Sequence, residues 1–223
     1  GQATDPGRFN NLDLADREAR KGRSSFLLQF MLDTSLSDAE KYPLKTSDLI
    51  VLDCNPNKGP SEIQYTSKPE NAIEVLRQVG FAGDRFYRPM WLDDKWLPYE
   101  VVFMAIDPAG RGKDETGYAV VAHLHGNLYL LAVGGLKGGY TDSNLIHLAT
   151  IAKKHKVNEI VVEANFGDGM WTKLFVPHLN KIWPCRVEEE KATHNKEGRI
   201  IDTLEPILNQ HRLIADYQAL NED

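Results

Sequence analysis

The sequence predicts an α/β protein. Three antiparallel strands open a mixed sheet, parallel strands follow, helices lie on both faces, and an irregular arm precedes the whole. Three observations carry this expectation. Residues 101–106 form an unbroken apolar run, read as a strand buried on both faces, that stops at Asp107 before a proline and a glycine-rich loop. Residues 118–124 and 128–133 flank His125-Gly126-Asn127, a hairpin signal. Beyond residue 140, helical and strand-like segments alternate, the pattern of right-handed crossovers between parallel strands.

Residues 1–98 punctuate often and alternate little. A polar helix is expected over 11–21, and the apolar segment 24–32 suits helix or strand, since nine residues are too few for periodicity to arbitrate. A strand is expected over 45–52, running into Asp53, and a turn over 55–60 from its Asn, Pro and Gly content. From 62 to 98 loops with short strands carry Phe86, Tyr87, Trp91 and Trp96. This part reads as a connecting arm, and 99–223 as one domain.

Within that domain a glycine-rich turn is expected over 134–140. Thr141 or Asp142 then caps a helix reaching about His155, with Leu145, Leu148, Ala149 and Ala152 on one face. A short strand over 158–163 runs through Ile160, Val161 and Val162 to Glu163. A helix over 168–179, a strand over 185–188, a basic loop, a helix over 196–210 and a strand over 212–215 complete the order. That order is the ribonuclease H-like arrangement.

Composition bounds the function without choosing it. The chain has 223 residues, 42% of them hydrophobic, which suffices for a core. No apolar run approaches the roughly 18 to 20 residues that span a bilayer, and the N-terminus lacks a signal pattern, so no membrane partner is expected. Two cysteines, Cys54 and Cys185, make neither a disulfide framework nor a metal clip. The net charge of −6 argues against a broad basic surface, yet carboxylates gathered around divalent cations are themselves acidic, so nucleic acid stays open as a partner. The first residue is Gly1, which reads as an excerpt of a longer chain.

Asp107 and Glu163 are the candidate catalytic and metal-binding pair, each ending an apolar strand. If those strands are adjacent and parallel, both carboxylates project from one sheet edge and repel unless a cation lies between them. Mg2+ or Mn2+ fits such hard oxygen donors, and two such ions can drive phosphodiester hydrolysis. The alternative is that each acid simply ends a strand and caps a turn. Gly110-Arg111-Gly112-Lys113 is no Walker loop, because Asp107 stands where its first glycine belongs and Asp114 where its Ser or Thr belongs. Arg111 and Lys113 either meet a phosphate backbone or are solvated. The same two readings apply to the cluster Lys191, His194, Lys196 and Arg199, which would position a nucleic-acid backbone without reading its sequence. Asp114 reads as a turn residue, Asp168 as a helix cap and Asp202 as solvent-facing, while Pro206 threatens the last helix. His178 and His211 read as structural.

The run Ala105-Ile106-Asp107-Pro108-Ala109-Gly110-Arg111-Gly112-Lys113-Asp114-Glu115-Thr116-Gly117, with Glu163-Ala164-Asn165-Phe166-Gly167-Asp168-Gly169 and the segment 199–206, resembles the large terminase subunit of short-tailed, podovirus-type phages. Gly7-Arg8-Phe9 and Leu28-Gln29-Phe30-Met31-Leu32 resemble the segment leading out of that family's ATPase domain. The resemblance implies a packaging motor whose C-terminal, ribonuclease H-like nuclease cuts concatemeric double-stranded DNA with two divalent ions. Asp107 matches the first catalytic acid and Glu163 the second. The family's third acid sits in an Asp-Asp-x-x-Asp-Ala-Leu type motif that does not occur before Asp223, so a truncated domain that holds the second ion poorly is expected, and no ATPase motif is present. The implied partners are DNA, the procapsid portal and the small terminase subunit. Homo-oligomers are expected only of the full-length motor, in the cytoplasm of the infected bacterial host. Two other readings stand beside this one: a docking module for DNA or portal with relic acids, and an actin-like phosphotransferase, which lacks its second glycine-rich phosphate loop here.

Overall fold

The computed structural model describes residues 8–21, 26, 42–76, 80, 83–109, 114–164, 169–191 and 196–221. The first half carries helix α1 (Asn11–Lys21) and strands β1 (Ile50–Leu52), β2 (Lys58–Pro60), β3 (Ile63–Gln64), β4 (Ala72–Ile73), β5 (Phe86–Tyr87), β6 (Trp91–Leu92) and β7 (Trp96–Pro98). Then come β8 (Val101–Asp107), β9 (Thr116–Leu124), β10 (Asn127–Leu136), α2 (Asp142–Lys154), β11 (Glu159–Glu163), α3 (Met170–Ile182), β12 (Arg186–Glu190), α4 (Lys196–Asn209), β13 (Leu213–Asp216) and α5 (Tyr217–Asn221). The class is the mixed α/β one that the sequence predicts.

The chain forms two compact units whose segments interleave. One comprises Gly1–Ile50, Ser67–Arg88 and His194–Leu213; the other Val51–Thr66, Pro89–Thr193 and Ile214–Asp223. In the first, the Asn10 carboxamide accepts the N–H groups of Leu12 and Asp13, both at 2.9 Å, and so caps α1, which packs on α4. The buried Asp84 carboxylate accepts the N–H groups of Thr46 and Ser47, each at 2.8 Å, fixing a short 3-10 turn where the sequence suggested the start of a strand. Helix α4 runs through Pro206 without a break. Asp202 is exposed as expected, but the buried side chains of α4 are Glu205 and Leu208, whereas Ile200 is exposed. The 24–32 segment lies outside the described residues except for Phe26.

The second unit holds sheet strands in the order β12-β11-β8-β9-β10-β13. Strands β8, β9 and β10 are antiparallel in sequence, closed by a tight turn at His125 and Gly126, both with positive φ. Strands β11 and β8, and β11 and β12, pair in parallel. The crossovers through α2 and α3 both step toward the same edge of the sheet, so a right-handed path lays both helices on one face. The two helices pack against each other. Leu145, Leu148, Ala149, Trp171, Phe175 and Leu179 are buried there, over Met104, Ile106, Val120, Ile160 and Val162.

Three local expectations need correction. Strand β8 is not buried on both faces: Val102, Met104 and Ile106 are buried, but Phe103, Ala105 and Asp107 are exposed, because the two crossover helices cover one face only. The 55–60 turn is shorter than expected, since Lys58–Pro60 pairs antiparallel with Trp96–Pro98. Strand β10 continues through Gly134 and Gly135, where a Cβ at Gly134 would sit 2.7 Å from the Tyr118 hydroxyl. Those glycines serve a close cross-strand approach, not a turn.

At the C-terminal end of α2, His155 is 4% exposed and its Nδ1 has no hydrogen-bond partner. Burial, reinforced by the charge of Lys154, pushes its imidazole down to about 4. The folded state therefore keeps His155 neutral while an unfolded chain takes up its proton near pH 6.5. Stability is expected to fall as pH drops from about 6.5 toward 4, by on the order of 3 kcal/mol from this residue. Urea unfolding at pH 7 and 4.5 checks it: His155→Leu should flatten that fall, and an equal fall in both proteins would exclude His155 as its source.

Candidate metal centre

The centre is built by strand register. The parallel ladder of β11 on β8 pairs Glu159 with Phe103, Ile160 with Met104, Val161 with Ala105 and Val162 with Ile106. One step further along each strand stand Glu163 and Asp107. Their side chains follow Phe103, Ala105 and Val161 onto the face opposite the helices, since residues two apart share a face. Strands in a sheet lie about 4.8 Å apart, so the two carboxylates leave the backbone as close neighbours. The antiparallel partner opposite Asp107 on β9 is Gly117, which places no side chain beside it.

The chain leaves β8 in a defined way. Pro108 cannot donate to a ladder, and the next N–H, that of the buried Ala109, donates to Thr116 Oγ1 at 3.1 Å. Asp107 therefore sits at the last paired position of its strand. At the other strand end, the Ala164 N–H donates to the Glu190 carbonyl at 2.8 Å and holds Glu163 against β12.

Register adds an acid that sequence reasoning did not single out. Glu190 pairs with Glu163, so Asp107, Glu163 and Glu190 form one row across three strands. The Glu188-Glu189-Glu190 run is plain in the sequence, but which of its members shares the face of Glu163 depends on pairing. Glu188 is engaged by Arg186, and the Glu189 carboxylate lies where a Cβ on Gly169, at the start of α3, would meet it at 3.2 Å. No group of three His, Cys, Asp or Glu converges tightly enough to hold a metal ion among the described residues. The Asp107 and Glu163 pair nonetheless offers the carboxylate oxygens that a hard divalent cation takes, from one exposed and one half-buried side chain.

Of the expected basic contacts, Lys191 belongs to one compact unit and Lys196 and Arg199 to the other. Arg111, Lys113 and His194 lie outside the described residues, as does Asp168, and the N-cap of α3 is Gly169. Lys191 follows Glu190 at the carboxylate edge and is exposed, while Lys196 and Arg199 belong to the first turn of α4 in the other compact unit. His178 sits 3.5 Å from Asp142 in a cleft of about 740 Å3 formed by α2 and α3, on the helical side of the sheet.

Residues 106–213 match a family model described as terminase of bacteriophage T7, ribonuclease H-like domain. Over all 223 residues the chain is 45% identical to the large terminase subunit of Enterobacteria phage T3, and it spans 38% of that protein's length. The human cytomegalovirus terminase nuclease domain, manganese-soaked and inhibitor-bound, superposes with a TM-score of 0.40 and 13% identity, over 54% of this chain and 64% of that one. The nuclease domain of the large terminase subunit of bacterial virus Sf6 gives a TM-score of 0.40 and 12% identity, over 56% of this chain and 66% of that one. Residues 106–213 are thus similar to the ribonuclease H-like domain of terminases, and the chain as a whole to a large terminase subunit.

Proposed function

We propose that this domain is a metal-dependent endonuclease that cuts concatemeric double-stranded DNA during viral genome packaging, with Asp107 and Glu163 as its metal-binding, catalytic carboxylates. The observation that carries the reading is their juxtaposition at the ends of two neighbouring parallel strands on an uncovered sheet face. Acids placed so close favour a cation between them over mutual repulsion. Mg2+ or Mn2+, two ions in a complete site, would supply a polarised phosphodiester and a water deprotonated near neutral pH. The residues themselves would supply carboxylate oxygens whose direction is set by the two strands.

Arg111, Lys113, Lys191, His194, Lys196 and Arg199 are proposed to meet phosphates, which would give affinity without sequence preference and a strong dependence on salt. The whole motor would add an ATPase, the portal, the small subunit and self-association, in the cytoplasm of the infected host. No helix among the described residues is long and apolar enough to cross a membrane.

Supercoiled plasmid tests the reading. The chain in millimolar Mn2+ should nick or linearise it, and EDTA should stop the conversion. A folded chain that neither converts plasmid nor binds Mn2+ at millimolar concentration would sink the nuclease and favour a docking module with relic acids.

A further inference from the structure

Resting on the metal-centre reading, we propose that Thr116 is a positioning residue for Asp107, and that its hydroxyl sets the affinity of the chain for a divalent cation. Two anchors bracket the carboxylate, and both lie on β9. Before the turn, Asp107 itself pairs with Gly117 in the β8–β9 ladder. After it, with Pro108 unable to donate, the first available N–H is that of Ala109, and it donates to Thr116 Oγ1 at 3.1 Å.

Thr116 is well placed to act as a fixed post. It is fully buried, at 0% exposure, and β9 is flanked by β8 on one side and β10 on the other, where Thr116 pairs with Leu136. Ala109 is 6% exposed, so its N–H has no solvent to turn to if the hydroxyl is removed. The bond thus closes the loop between β8 and β9 at its neck, and the strand ends at Asp107. Without it the chain just after Asp107 loses this hold on β9, while the substitution removes no apolar core contact. Residues that orient metal ligands through a hydrogen bond typically change metal affinity about 10-fold to 100-fold when removed.

The test uses Thr116→Val, which keeps the shape and deletes the hydroxyl, Thr116→Ser, which keeps the hydroxyl, and Val120→Ala, a buried substitution on the same strand that touches neither anchor. In the metal-free protein, hydrogen exchange at the Ala109 amide should accelerate in Thr116→Val and stay slow in Thr116→Ser. Mn2+ titration by calorimetry should show affinity about 10-fold weaker for Thr116→Val, restored in Thr116→Ser and unchanged in Val120→Ala. Should the Val variant fail to fold, Thr116→Ala carries the same comparison. The proposal is overturned if Thr116→Val binds Mn2+ like the wild type, if Thr116→Ser is as weak as Thr116→Val, or if Val120→Ala weakens binding equally. Wild-type chain that shows no Mn2+ binding sensitive to Asp107→Asn would instead bring down the metal centre, and this proposal with it.

Discussion

Asp107→Asn and Glu163→Gln are each expected to lower Mn2+-supported DNA cleavage by about 10³-fold while leaving the thermal midpoint of the metal-free protein unchanged. The amide keeps the size of the side chain and one acceptor oxygen but removes the charge that holds a cation. A bound metal ion contributes several kcal/mol to phosphodiester cleavage, and about 4 kcal/mol corresponds to that factor. Stability should hold because Asp107 is exposed and Glu163 only half-buried, and surface substitutions usually stay within about 0.5 kcal/mol. The double variant should be little worse than either single one, since ligands of one centre act as a unit. Plasmid conversion at matched, folded protein concentration decides it. Either single variant cutting at the wild-type rate would remove that residue from the centre.

What the sequence made legible follows from the range of the forces involved. Strands β8, β9 and β11 and helices α1, α2, α3 and α4 come close to their expected spans, because apolar runs and helical spacing are written within about ten residues. The carboxylate pair was legible for the same reason: each acid ends such a run. Burial was not. An apolar run such as 101–106 suits a strand covered on both faces, and only the shared direction of the two crossovers leaves Phe103, 38% exposed, uncovered. Register was not legible either, so Glu190 could not be told from Glu188 and Glu189 before β12 was laid beside β11. Thr116 escaped notice because a threonine opening a strand is unremarkable until its hydroxyl is seen to close a loop. Gly134 looks like a turn residue to composition, and the reason for its being glycine is a tyrosine sixteen residues earlier, Tyr118.

Phe175→Ala is expected to do the reverse of the carboxylate substitutions, lowering stability by about 3 to 5 kcal/mol while sparing the chemistry. Phe175 is fully buried on α3 and stacks on Trp171 with ring centroids 5.0 Å apart, so truncation leaves a cavity that the packed sheet cannot close. For a chain of this size the thermal midpoint should drop by roughly 10 °C, against a degree or two for Leu174→Ala, whose side chain on the same helix is 41% exposed. The cavity opens on the helical face of the sheet, whereas Asp107 and Glu163 project from the other, and the register of β8 with β11 rests on backbone hydrogen bonds that the substitution leaves intact. At a temperature well below the lowered midpoint, Phe175→Ala should therefore cleave at close to the wild-type rate. Equal midpoints for the Phe175 and Leu174 variants would show that α3 does not cover the sheet as described. A folded Phe175 variant without activity would show that the two faces are coupled, and the carboxylate row would then depend on core packing as well as on strand register.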